Sequence, residues 1–171
     1  LLGGQITNGV TNAVRKRVSE AQTSVSTYLG VGVVVWTLQI PLAVAGALLV
    51  LTFGPQMTTM EAVLAVGMLL SETLFVLINR VYAATGHPGS SMWADAGRSL
   101  LTFGFQVGLV FAEFGLVGLI GGYLAATFAS AIAVWYKLDS APSVPSRKQF
   151  ERVYEFARWS VLTSFTHDLY R

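Results

Sequence analysis

The chain has no cysteine, which excludes disulfides, thiolate-ligated zinc and thiol catalysis. Its two histidines, His87 and His167, lie 80 positions apart with no HExxH-like neighbour, so no metal centre is expected. Charge is the scarcest commodity. Asp, Glu, Lys and Arg make up 12% of the 171 residues, where soluble domains carry about 25%. Residues 21–60 contain none at all. A soluble fold needs a charged shell that these residues cannot supply, so a soluble enzyme, a disordered chain and a nucleic-acid binder are excluded. No nucleophile–base pair, phosphate loop or metal-ligand spacing is present, so neither enzymatic activity nor a cofactor is expected.

Apolar residues account for 53% of the chain and mean hydropathy is +0.59. A bilayer core about 30 Å thick is crossed by about 20 apolar residues in a helix, and the chain has room for several such runs. The expected fold is all-α, a polytopic membrane helix bundle. Spans are expected at 28–53, 62–84, 97–113 and 115–136. Residues 1–14 read as the tail of another helix, ending at Arg15-Lys16-Arg17. The first span holds Gln39 and Pro41, and the proline predicts a kink because it removes a backbone donor. Trp135-Tyr136 closes the last span as an interfacial aromatic pair.

Three segments follow from this pattern: membrane helices over 1–136, a cytoplasmic linker and amphipathic helix over 137–158, and the start of a further helix over 159–171. The linker bears Pro142 and Pro145, and Ser146-x-x-Gln149 fits a capping box. Phe150, Val153, Tyr154, Ala157 and Val161 form an apolar stripe opposite Arg147, Lys148, Glu151, Arg152, Glu155 and Arg158. That pattern predicts a helix lying on the membrane surface, with a connector facing water as the alternative. The chain begins inside one apolar stretch and ends as another starts, so it reads as a piece of a longer protein.

The charges are sided. With 15–17 cytoplasmic, alternation places 80–98 and 137–158 inside as well, and 54–61 and 113–115 outside. The inside segments then hold ten of the eleven cations, and the outside loops only Glu61 and Glu113. The expected location is a cell (cytoplasmic) membrane, multi-pass.

Glu72 falls near mid-depth, where an ionisable group is costly and normally meets a partner or a wet cavity. It is either a substrate or proton site or a protonated, hydrogen-bonded packing residue. Arg80, two turns on, either snorkels to the interface or faces a lumen and holds an anion. Gln39 and Gln106 suit contacts between helices, and Gly104-x-x-x-Gly108 and Gly118-x-x-x-Gly122 permit close approach. His87 and Trp93 read as turn and interface residues. Arg15, Lys16 and Arg17 either set topology or form a phosphate-attracting mouth.

Several of these segments resemble, in order, those of polysaccharide and oligosaccharide flippases. Asn12-Ala13-Val14-Arg15-Lys16-Arg17-Val18-Ser19-Glu20 is similar to the basic segment after the family's second helix. Asn79-Arg80-Val81-Tyr82-Ala83-Ala84-Thr85-Gly86-His87-Pro88 resembles its turn after the fourth. Glu113-Phe114-Gly115 through Gly122-Tyr123 resembles the tight turn into the sixth. Pro145-Ser146-Arg147 and Phe156-Ala157-Arg158-Trp159-Ser160 resemble the connector into the seventh.

The resemblance is to the multidrug/oligosaccharidyl-lipid/polysaccharide exporter superfamily. It implies the end of helix two, helices three to six and a truncated start of helix seven. That is about one six-helix lobe of a transporter with twelve or more helices, whose second lobe would be a missing partner. It further implies a lipid-linked sugar substrate, membrane lipids as surroundings, no nucleic acid, and alternating access. Arg15, Lys16, Arg17, Arg80 and Arg98 would meet the lipid phosphate, and Glu72 would couple a proton or Na+ or bind sugar hydroxyls. Three alternatives remain: a multidrug/cation antiporter of the same superfamily, a peptidoglycan-precursor flippase, and a non-transporting membrane scaffold.

Overall fold

The structure is a computed structural model. It describes the backbone of residues 2–20, 25–53 and 58–169, and the side chains of 9–20, 25–53 and 58–159. Among these residues all regular structure is helical: α1 (Leu2–Glu20), α2 (Val25–Phe53), α3 (Thr59–Ala84), α4 (Pro88–Phe111), α5 (Gly115–Leu138) and α6 (Arg147–Leu169). Helices α2, α3 and α5 are long and apolar enough to cross a membrane, which marks the chain as a membrane protein.

The expected third span corresponds to α4, and here the expectation needs correcting. α4 starts at Pro88, not near residue 97, and its 24 residues include Asp95, Arg98 and Gln106. These polar groups keep it out of the set of helices that qualify by apolarity. Proline suits the first turn because that turn's N–H groups have no intrahelical acceptor. The segment 80–98 is therefore mostly helix rather than a loop. Arg80 lies inside α3, Arg98 lies inside α4, and only 85–87 separate the two helices.

That turn is built from local polar contacts. Gly86 takes φ 95°, a left-handed conformation that costs glycine little. Thr85 donates its hydroxyl to the Tyr82 carbonyl at 2.8 Å, and the Tyr82 and His87 rings stack at 5.1 Å. At the other end of α3, Thr58 and Glu61 form a reciprocal capping box, which explains one of the two acids expected on the outer side. α2 continues as helix through Pro41.

One apolar cluster joins five helices. Val14 and Val18 of α1, Leu29 of α2, Val81 of α3 and Val153 and Ala157 of α6 are buried together, with Leu138 of α5 packed alongside. The cluster collects the last turns of α1, α3 and α5 and the start of α6 at one end of the bundle, called here the basic end. Arg15, Lys16, Arg17, Lys137, Arg147 and Lys148 flank it in sequence.

The α6 stripe is also corrected. Val153 and Ala157 are buried against other helices, not against lipid, Tyr154 is exposed and Phe156 packs in its place. Val161 lies outside the described side chains. α6 runs unbroken across 158–159, so the amphipathic stretch and the segment after it are one helix.

Two small-residue pairs behave differently. A Cβ added to Gly122 would stand 2.8 Å from the Gln106 amide nitrogen, and one on Gly118 would stand 3.1 Å from the Leu109 carbonyl carbon. Gly104 and Gly108 face open space, with no atom within 4 Å of such a Cβ. Lipid offers no hydrophobic drive for helices to associate, so close backbone packing must supply the attraction. Gly118 and Gly122 provide it between α4 and α5, and Gln106 adds a hydrogen bond to the Leu119 carbonyl at 2.9 Å.

The linker between α5 and α6 is tied down. The Ser143 N–H donates to the Ser26 carbonyl at 2.9 Å, and the Ser143 hydroxyl donates to Thr27 Oγ1 at 3.2 Å.

Candidate functional site

Three consecutive helices each contribute one polar side chain to the middle of the bundle. Glu72 stands twelve positions before the end of α3, Arg98 ten after the start of α4, and Tyr123 fifteen before the end of α5. At 1.5 Å per residue these lie about 18, 15 and 22 Å from the basic end. Short turns make the helices antiparallel neighbours, so equal depth becomes contact.

Arg98 Nη1 donates to Glu72 Oε2 and to the Tyr123 hydroxyl oxygen at 3.2 Å, while the Tyr123 hydroxyl itself donates to Glu72 Oε2. The Arg98 guanidinium also lies 4.6 Å from the centre of the Phe75 ring, one turn along α3 from Glu72. An isolated carboxylate or guanidinium at this depth would cost at least a few kcal/mol. Paired, the two charges cancel, and the phenol and the aromatic face absorb part of the remaining cost. The Glu72 side chain nevertheless stays 35% exposed and that of Arg98 20%, so the pair is only partly enclosed.

Arg98, but neither Glu72 nor Tyr123, also lines a cleft of about 380 Å³ between α3, α4 and α5. Tyr82, Trp93, Arg98, Leu101, Ser130 and Lys137 are among its walls. It runs from the basic end, where Lys137 stands in the last turn of α5, inward to Arg98.

The other expected cations sit elsewhere. Arg80 Nη1 donates to Asn12 Oδ1 at 2.6 Å and so ties α3 to α1. Arg17 pairs with Glu20 at 2.9 Å. Lys16 lies 4.7 Å from the centre of the Phe156 ring, and Arg15 is exposed. The structure thus groups Arg15, Lys16, Arg17 and Arg80 around α1, and sets Glu72 with Arg98 apart from them. Arg98 is a mid-bundle partner of a carboxylate, not a residue of the mouth. Gln39 is half-buried and shares with Trp36 and Thr73 a narrow space between α1, α2 and α3.

Sequence reasoning passed over Tyr123 as part of a turn motif and treated Asn12 only as motif context. The signal for Tyr123 was its depth. A carboxylate at mid-depth requires donors; depth brings Arg98 and Tyr123 within reach of it, as it does Ser99 and Thr127, and helix rotation selects among them. Among the described residues no group of three or more metal-ligating side chains occurs.

Comparison of the chain with protein-family models, with curated proteins and with solved structures found no match in any of the three.

Proposed function

We propose that the chain is part of a membrane transporter that flips lipid-linked oligosaccharide or polysaccharide precursors across the cytoplasmic membrane by alternating access. The observation that carries this reading is the partly exposed Glu72–Arg98 pair in the middle of an otherwise apolar bundle. A pair serving packing alone is better enclosed. One that a proton or cation must reach needs an opening.

In this reading the basic end is cytoplasmic. Arg15, Lys16, Arg17 and Arg80 attract the phosphate or pyrophosphate of the lipid carrier, and a second lobe completes the cavity for the sugar. Protonation of Glu72 removes its charge, weakens its hold on Arg98 and loosens α3 from α4. Loss of the proton re-forms the pair. A two-state contact of this kind is what alternating access requires. Arg98 also weakens the antiporter alternative, because its charge already occupies the carboxylate that a cationic drug would use.

The test is transport of a lipid-linked sugar by the full-length protein in vesicles. Glu72→Gln and Arg80→Ala are both expected to slow flipping without loss of membrane insertion. Wild-type rates in both variants would remove these residues from the mechanism.

The non-transporting scaffold has one observation in its favour: Arg80 and Lys16 are already engaged by Asn12 and Phe156. A scaffold would lose thermal stability on Glu72→Gln yet show no substrate-dependent change in that stability.

A further inference from the structure

The cleft between α4 and α5 continues into a second feature. Leu101 belongs both to its wall and to an apolar groove of about 460 Å³ on α4. Gly104 and Gly108 form the floor of the groove, and Phe105 is among its walls. Polar and apolar compartments therefore meet at one residue on one helix. From Leu101 to Leu109 the groove follows eight residues, about 12 Å, close to the 15 Å half-thickness of a bilayer core about 30 Å across.

The polar compartment has unused donors. Lys137 has no ion-pair partner among the described residues. Ser130 is 5% exposed, and its hydroxyl oxygen has no hydrogen-bond partner among the described residues. The same holds for Arg98 Nε, whose Nη1 serves Glu72 and Tyr123. Buried polar atoms are normally satisfied, so these two orphans, on the α4 and α5 sides of one cleft, point to an acceptor from outside the chain. Trp93, 80% exposed one turn into α4, stands where an indole meets the headgroup layer.

We infer that this bipartite cleft holds one resident anionic phospholipid, its phosphate between Lys137 and Ser130 and one acyl chain along Gly104 and Gly108. The phosphate supplies the acceptor that Ser130 lacks and the counter-charge that Lys137 lacks. The chain covers the α4 face that the small residues leave open. Arg98 closes the polar compartment from within. The site goes beyond the transport reading and does not depend on it, since a scaffold would bind the same lipid.

The experiment is native mass spectrometry of the protein released from vesicles of mixed phosphatidylglycerol and phosphatidylcholine. Phosphatidylglycerol is expected to stay bound in preference. Lys137→Gln should weaken its retention about fivefold, the effect of one cation near a lipid surface, and leave phosphatidylcholine unchanged. Gly104→Leu, which fills the groove at a position with open space, should reduce retention of both lipids. Equal retention of the two lipids by the unmodified protein would overturn the inference. So would unchanged retention in either variant, as expected if a protein helix covers the groove, or displacement of the lipid by inorganic phosphate.

Discussion

Glu72 and Arg98 are 26 positions apart in sequence and joined side chain to side chain across α3 and α4. The hydroxyl of Tyr123 on α5 bonds to the same carboxylate oxygen. One contact thus ties together three helices that apolar packing alone would let slide.

The pair makes the single and double variants unequal. Arg98→Met leaves a lone carboxylate at mid-depth, and Glu72→Gln leaves a lone guanidinium, whereas the double variant leaves neither. Thermal unfolding in detergent should show the double variant losing less than the sum of the two single losses, with a coupling of about 1–2 kcal/mol. Additive losses would mean that the side chains do not interact.

Tyr123→Phe removes the phenol but keeps the ring. It should lower stability by about 0.5–1.5 kcal/mol, the usual worth of one hydrogen bond. With Glu72→Gln already present the effect should shrink, because the phenol has then lost its charged acceptor. An undiminished effect would place the value of Tyr123 in packing.

The two glycine pairs predict opposite signs. Gly122→Ala sets a methyl 2.8 Å from the Gln106 amide nitrogen and 2.9 Å from Cα of the same residue, so α4 and α5 must separate and the melting temperature should fall. Gly104→Ala meets nothing within 4 Å and gains helix propensity of up to about 1 kcal/mol, so its melting temperature should hold or rise. A matched fall in both would contradict the arrangement of these helices.

Gly30 is buried beneath the linker. A Cβ there would lie 1.9 Å from the Ser143 carbonyl oxygen, and backbone cannot yield as a side-chain tip can. Gly30→Ala should release the Ser143–Ser26 hydrogen bond. The measurable result is faster amide exchange at Ser143, with exchange in the middle of α3 unchanged.

Thr58→Ala removes the hydroxyl that caps the Glu61 amide at 3.2 Å, and should cost about 1 kcal/mol. The loss should appear as faster exchange in the first turn of α3 and leave the Glu72 region protected.

Much of the helical architecture is visible in composition and punctuation. Thr58 with Glu61 and Ser146 with Gln149 mark helix starts through local hydrogen bonds, and Pro88 and Gly115 do so through backbone conformation, neither of which needs tertiary context. α4 is where hydropathy misleads. Asp95, Arg98 and Gln106 lower the apolar average, yet each has a helical backbone, and being in a helix does not require an apolar side chain. The α6 stripe fails for a different reason. Periodicity shows that a helix has an apolar face, but not whether lipid or protein covers it, and here α1 covers Val153 and Ala157.

By itself the sequence determined that the chain is a membrane protein and that it is helical. These are properties of composition and order, set by the cost of placing charge in hydrocarbon. Only the tertiary structure decided the partners. It took Arg98 from the set of surface cations and gave it to Glu72, put Tyr123 beside them, and held Arg80 on Asn12. It also used Gly118 and Gly122 for packing while leaving Gly104 and Gly108 open. Those outcomes depend on helix rotation and depth, and both are fixed by how neighbouring surfaces pack rather than by what any one segment contains.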